Sequence, residues 1–365
     1  MTSLDLPYVP HYVAAPPTEE PLEYAEIPTI DISRADTEEG RAALAVEVRE
    51  ALHNHGFFYV VNHGYSQAQT IRMFDIADVA FSAVSDSEKR LYLSRRQEEG
   101  SMPGYTLREY TDTYSKVREQ LQQYALCESH ETKRQHPEAV RPLLPEIKEF
   151  NKHNHFNVLY PILRLIARSI ELPEDTLVNI HDFGGTNDSS VRFIKYFPRT
   201  EEEETKTSNV WLKGHTDFGG ISILWSQPVS GLQIKTHEGE WRWVRHLENA
   251  LVVNTGDALG FLTGGYYKAT VHRVIQPPED QRTCTRLGVF FFAMPDDDVK
   301  LMPMAESPVL QREGLHRSYD DVEASTMEQW RRARTKAYGH SELKNGKEKG
   351  VEEEVINGVV VKHYN

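Results

Sequence analysis

Val191-Arg192-Phe193-Ile194-Lys195-Tyr196-Phe197 opens the part of the chain that decides the fold. From Ser190 to Pro295 short β-rich runs alternate with turn residues: VRFIKYF (191–197), GISILW (220–225), GLQIKT (231–236), WRWV (241–244), ALVVNTG (250–256), KATVHRVI (268–275) and TRLGVFFFAM (285–294). Aromatic and β-branched residues suit a pleated, half-buried surface. Strands at such even spacing predict a sandwich or barrel of the jelly-roll kind, doubled or closed so that edges are protected.

Working outward, residues 146–171 carry the longest helical pattern. Phe156, Leu159, Leu163, Ile166 and Ile170 fall on one face, with Pro161 as an expected kink. Further towards the N-terminus, Ile27–Ile32 reads as a strand and residues 38–54 as a helix with Leu44, Val48 and Leu52 on one face. Gly56 stops that helix, Phe57–Val61 is a strand, and residues 66–83 form a helix through Ile71, Phe74, Ala77 and Phe81. Residues 1–25, rich in Pro and Tyr, predict an irregular surface arm. After the β-rich part, Ser325-Thr326-Met327-Glu328 has capping-box spacing and opens a helix to about Tyr338, stopped by Gly339. The expected organisation is an arm (1–25), a largely helical region (26–185), a β core (186–300), and a C-terminal helix and tail (301–365). Acidic runs at Glu201–Glu204 and Glu352–Glu354 read as solvated loop or tail.

The chain has 365 residues, of which 39% are hydrophobic and 26% charged, enough to bury a sizeable core. Its net charge of −14 argues against a binder of nucleic-acid phosphates. No signal-like N-terminus and no apolar run of membrane-spanning length occur, so a cytoplasmic location without membrane partners is expected. Cys127 and Cys284 are far apart, which supports neither a disulfide framework nor a thiolate zinc site.

The chemistry concentrates in Trp211-Leu212-Lys213-Gly214-His215-Thr216-Asp217-Phe218-Gly219-Gly220. In extended chain, residues two apart share a face, so His215 and Asp217 can direct an imidazole and a carboxylate at one ion. His272, within KATVHRVI, supplies a third ligand. Two histidines and one carboxylate leave positions open, which suits Fe(II) oxygen chemistry better than closed structural zinc. The pairs His246-Leu247-Glu248 and His340-Ser341-Glu342 repeat the spacing but lack a β-run context with a later partner.

With these residues in place, the chain resembles the isopenicillin N synthase-like branch of the 2-oxoglutarate/Fe(II)-dependent dioxygenases. The resemblance runs through Ile27–Ser33, Gly56–Gly64, Gly214-His215-Thr216-Asp217, Val253–Asp257, Gly265–Lys268 and His272-Arg273-Val274. It implies a mixed α/β protein with a double-stranded β-helix (jelly-roll) core, supporting helices and a C-terminal helix. It implies Fe(II) on His215, Asp217 and His272, with 2-oxoglutarate as co-substrate, O2, and ascorbate as an optional reductant. The family's arginine for the distal carboxylate of 2-oxoglutarate has two candidates, Arg282 and Arg286. Arg286 is favoured because it begins the run Arg286–Pro295, while Arg282 sits in a polar turn. A planar, permanently charged guanidinium suits that carboxylate.

The chain departs from the family pattern in three places. Gly288 stands where a hydroxyl residue is common, and Lys195-Tyr196-Phe197-Pro198 carries Lys and Phe where Asn and Tyr are common. Lys195 is therefore a candidate replacement donor and Tyr196 a retained co-substrate contact. The expected reaction couples decarboxylation of 2-oxoglutarate, to succinate and CO2, with hydroxylation, desaturation or cyclisation of a small-molecule metabolite. Tyr105, Tyr114, Phe292 and the surroundings of Trp330 are places to look for substrate contacts, beside the reading that they are core. A 2-oxoglutarate-independent Fe(II)/O2 oxidase and a non-catalytic barrel binding protein remain as alternatives.

Overall fold

The computed structural model describes residues 6–108, 116–127, 134–315, 323–338, 341, 343–348 and 350–364. The strands described are β1 (Thr29–Asp31), β2 (Phe57–Val61), β3 (Gly104–Thr106), β4 (Leu121–Cys127), β5 (Ser190–Tyr196), β6 (Val210–His215), β7 (Ile221–Trp225) and β8 (Leu232–Lys235). They continue with β9 (Trp241–Trp243), β10 (Leu251–Thr255), β11 (His272–Ile275), β12 (Arg286–Ala293), β13 (Lys344–Asn345), β14 (Val351–Ile356) and β15 (Val359–Tyr364). They form two sheets, a major one in the order β1-β2-β10-β7-β12-β5-β4-β3 and a minor one in the order β13-β14-β15-β6-β11-β8-β9. This is the doubled, mostly antiparallel arrangement that the spacing of the β-rich runs predicts.

Each sheet has a distinct job. The outer face of the major sheet is covered by helices, so β2 (FFYVV) and β7 (ISILW) are apolar nearly throughout. The largest core cluster lies there, with Leu44 and Val48 of helix Glu38–Asn54, Phe150, Leu163, and Ile223, Val289 and Phe291 of the sheet. The inner faces of the two sheets enclose smaller clusters, one around Phe57, Leu224 and Ile234, another around Ile194, Tyr196 and Trp211. A largely apolar cavity opens between those inner faces.

Several expectations need correcting. The first strand is only Thr29–Asp31, because Asp31 accepts hydrogen bonds from Ser33 and turns the chain into a short 3-10 segment. Only His272–Ile275 of KATVHRVI is strand. The long helix is Leu144–Lys152, then π turns over His153–Leu159, then Tyr160–Ser169. Pro161 has no N–H for the preceding turn, and the chain adapts by widening before it. The extra residue per turn rotates Phe156 off the buried face to 44% exposure, while Leu159, Leu163, Ile166 and Ile170 stay buried. Ile71 is likewise 40% exposed, and helix Gln67–Ser82 buries Met73, Ile76 and Ala80 in its place. The C-terminal helix, Met327–Ala337, is capped by Thr326 with Gln329, one residue later than the Ser325 spacing suggests. Gly339 lies outside the described residues.

The largest correction is at the C-terminus. Residues 351–364 are a hairpin, β14 with β15, which extends the minor sheet where Tyr364 pairs with Gly214. Asn357 and Gly358 both have positive φ (49° and 81°), as a tight hairpin turn demands. The acidic runs are structural only in part: Glu201 and Glu202 are exposed at the start of a short helix, Glu201–Lys206, but each run buries one glutamate. Glu352 is buried against Lys213 (2.8 Å), and Glu204 is buried, accepting from Trp211 Nε1 (2.7 Å). Among the described residues, no helix is long and apolar enough to cross a membrane.

Candidate metal centre and its cavity

Strand pairing brings the two histidines together. His215 ends β6 and is the register partner of His272, the first residue of β11, with ring centroids 4.5 Å apart. Asp217 follows two residues beyond β6, its Oδ1 3.9 Å from His215 Nε2 and 3.8 Å from His272 Nε2. Both spacings fall within the roughly 4.2 Å that two donors, each about 2.1 Å from one ion, can span. The surroundings aim the ligands. His215 Nδ1 lies 2.8 Å from the Lys213 carbonyl and His272 Nδ1 3.1 Å from that of Thr270. A carbonyl only accepts, so each ring proton is assigned to Nδ1 and each Nε2 lone pair faces Asp217. Asp217 Oδ2 accepts from Ser222 Oγ (2.6 Å) and Asn254 Nδ2 (2.9 Å), leaving Oδ1 for the centre. Gly256 packs so closely that a Cβ there would collide with the Gly219 carbonyl, so the end of β10 can lie against the ligand loop.

The electrostatics suit a divalent cation. Burial, with the neighbouring His272 imidazole, holds His215 far below the ordinary histidine range, so it is neutral and able to ligate. Burial alone would raise Asp217, but His272, His215 and the hydrogen bonds from Asn254 and Ser222 outweigh it and keep the carboxylate ionised. Among the described residues this is the one group of three or more His, Cys, Asp or Glu side chains able to share an ion. The fit is to an open-sided Fe(II) centre, with two imidazoles and one carboxylate facing a cavity.

That cavity, of about 520 Å³, runs from the centre along the inner face of β5 and β12. Arg286, at the start of β12, is the register partner of Tyr196, and its guanidinium sits 5.7 Å from the Tyr196 ring. Both residues are buried and line the cavity. Arg282 is exposed, at the end of the turn Glu279–Gln281. Lys195 faces the other way. Strand alternation turns it towards helix Gln67–Ser82, where its Nζ lies 2.6 Å from Asp78 Oδ1, so it is not placed to replace a missing cavity donor. Phe197 lies outside the cavity under Arg108, 4.4 Å from its ring centroid. At Gly288 the room a hydroxyl side chain would need is taken by Phe290, whose ring would be 2.5 Å from an added Cβ.

The remaining sequence candidates divide. Phe292 lines the cavity. Tyr105 is core, its hydroxyl donating to Ala80 O (2.8 Å), and Trp330 is core, its Nε1 donating to Phe218 O (3.1 Å). Tyr114 lies outside the described residues, as do His340 and Glu342 of one repeated pair. His246 of the other pair is engaged with Ser226 Oγ at 2.7 Å, away from the centre. Sequence reasoning missed Arg192, Glu119, Tyr338 and Arg334, all in the cavity wall. Strand alternation within VRFIKYF was the available signal for Arg192, since it shares the face of Tyr196.

Comparisons with known proteins agree with this geometry. The 2OG-Fe(II) oxygenase superfamily profile matches residues 188–295, and the profile of the non-haem dioxygenase in morphine synthesis N-terminal region matches residues 27–151. The 2-oxoglutarate-dependent dioxygenase traH of Penicillium crustosum is 30% identical over 274 residues, 70% of this chain and 81% of that protein. The chain belongs to the 2-oxoglutarate/Fe(II)-dependent oxygenases. Scopoletin 8-hydroxylase of Arabidopsis thaliana is 25% identical over 318 residues, 87% of this chain and 84% of that enzyme. A full-length Neurospora crassa protein, solved in complex with alpha-KG, superposes with a TM-score of 0.74 at 20% identity, covering 87% of this chain and 99% of that one. This oxygenase is thus an enzyme with the family's jelly-roll fold, using Fe(II), 2-oxoglutarate and O2.

Proposed function

We propose that the oxygenase binds Fe(II) through His215, Asp217 and His272, holds the distal carboxylate of 2-oxoglutarate on Arg286 beside Tyr196, and oxidises a small-molecule metabolite by hydroxylation, desaturation or ring closure. The observation that carries this reading is the meeting, in one cavity, of the His–Asp–His centre and a buried arginine that lines the same space. Fe(II) held by these residues would supply the site at which O2 is activated, with 2-oxoglutarate as the reductant that is converted to succinate and CO2. The protein's own share is positional. The Lys213 and Thr270 carbonyls fix the imidazole tautomers, Ser222 and Asn254 fix the carboxylate, and Phe57 packs edge-on against His272 at 5.6 Å. Leu232, Val252 and Val274 join Phe57 in keeping the inner end of the cavity apolar, which strengthens the pairing of Arg286 with a carboxylate. The printed names of the relatives, a hydroxylase of scopoletin among them, support a small-molecule substrate.

The test is anaerobic addition of Fe(II) and then 2-oxoglutarate, watching for the visible charge-transfer band of the chelate. The band is expected in the wild type and absent in Asp217→Ala, with turnover down by about 1,000-fold or more and the melting temperature unlowered. Tight iron binding that survives Asp217→Ala would sink the ligand assignment.

A further inference from the structure

The inner face of the major sheet carries two cations. Arg286 sits at the start of β12, and Arg192 of β5 is the register partner of Phe290, four residues along the same strand. The two positions are thus on the order of 13 Å apart along the sheet. One cation is accounted for by the co-substrate. Arg192 is not. It is 6% exposed and lines the cavity, and among the described residues no acceptor meets its Nε or Nη2. Those two donors form one edge of the guanidinium, the edge that grips a carboxylate with two parallel hydrogen bonds.

The described acids around it hydrogen-bond to other groups. Of the described carboxyl groups in the cavity wall, Asp217 is held by Ser222 and Asn254 at the metal centre, Glu119 accepts from Tyr338 (3.1 Å), and Glu354 lies 2.9 Å from His363. Asp188, outside the wall, faces Arg331 at 3.1 Å. Burial draws the Arg192 pKa down to about 10, which still leaves it charged at neutral pH. The ring of Phe292, 4.2 Å from the guanidinium carbon, covers it. Asp217 and Asp188 attract the charge from a distance, but neither is a described hydrogen-bond partner of that edge, and a buried donor edge left unsatisfied is costly.

We propose that the primary substrate is a carboxylate whose carboxyl group docks on Arg192, with Phe292 packing against the body of the molecule. The inference rests on the proposed function, because it reserves Arg286 for 2-oxoglutarate. It makes Arg192 a specificity-determining residue, and it separates the two carboxylates that must occupy one cavity by giving each its own arginine.

The experiment is anaerobic calorimetry on protein loaded with Fe(II) and saturating 2-oxoglutarate, titrated with 3-phenylpropanoate and with its neutral counterpart 3-phenylpropanamide. The wild type is expected to prefer the acid by roughly 30-fold or more. Arg192→Met removes the preference, whereas Arg286→Met retains it once 2-oxoglutarate is saturating. Arg192→Met also melts no lower than the wild type when no substrate is present, because a buried, unsatisfied donor edge has been removed. Equal or absent binding of the two probes, a preference that survives Arg192→Met, or a preference lost in Arg286→Met would overturn the proposal. So would a fall of several degrees in the melting temperature of Arg192→Met, or its failure to fold, since either marks a structural role. The chelate band keeps the two readings apart. Its absence in the wild type counts against the proposed function, whereas a normal band with no acid preference counts against Arg192 alone.

Discussion

The two faces of strand β5 obey different rules. On the helix side, Val191 and Phe193 are fully buried in the main core, and the one charge, Lys195, meets Asp78 at 2.6 Å. On the cavity side, Arg192 and Tyr196 are also buried, yet the Arg192 guanidinium meets no acceptor on Nε or Nη2 among the described residues. Strand β12 repeats the division, with Leu287, Val289 and Phe291 against the helices and Arg286, Phe290 and Phe292 towards the cavity. One face is finished by folding. The other is left incomplete in a way that ligands complete, as expected where local rules yield to function.

Truncating the same residue type on each side puts this contrast at greatest risk. Phe291→Ala, on the helix side, should cost about 3–5 kcal/mol by leaving a void in packed core, read as a lower midpoint in denaturant. Phe290→Ala, on the partly open cavity side, should cost less than half of that and should change co-substrate or substrate binding instead. Equal losses of stability would show that the cavity wall is ordinary core.

A smaller effect distinguishes the charges. Arg286→Met should raise the 2-oxoglutarate concentration needed for the chelate band by roughly 30-fold, about 2 kcal/mol. Lys195→Met should leave that concentration unchanged and cost about 1 kcal/mol of stability or less, since the pair with Asp78 is partly solvated. If Lys195→Met were the variant that needed more 2-oxoglutarate, the assignment of the two faces would be reversed.

Acid is a third probe. Burial holds His153, His155 and His181, on the helix side, near pKa 4, below the ordinary 6.5. Between those values the unfolded chain takes up protons that the folded chain refuses. Stability is therefore highest above about pH 6.5 and declines as pH falls towards 4, by about 1.4 kcal/mol per unit for each histidine that stays neutral. Denaturant midpoints that stay level from pH 7 to pH 4.5 would show that these rings accept protons in the folded state.

Much of the site was legible because its parts are local. His215 and Asp217 are two residues apart, close enough to converge on one ion although Asp217 lies just beyond β6, and Arg286 heads a recognisable apolar strand. The C-terminal hairpin was equally legible, since Asn357-Gly358 between VEEEVI and VVVKHY is a strong turn signal, but the run of glutamates read as solvated tail. Lys195 was misjudged for want of one parity argument. It alternates with Tyr196, and two neighbours on a strand cannot both face one cavity. The π turns before Pro161 were beyond reach, because a proline in a helix can kink it, end it or widen it, and packing selects among these.

The sequence by itself determined the β-rich core, the ligand chemistry of His215 and Asp217 and the choice of Arg286 as the arginine proposed for the co-substrate, because each depends on residues near one another along the chain. Tertiary structure alone decided that His272 stands opposite His215 across a strand pair, that Phe290 occupies the room beside Gly288, and that the Nε–Nη2 edge of Arg192 meets no acceptor among the described residues. Those outcomes depend on which distant groups become neighbours. Whether a buried charge meets a partner is settled only when every carboxylate in the chain has found its place.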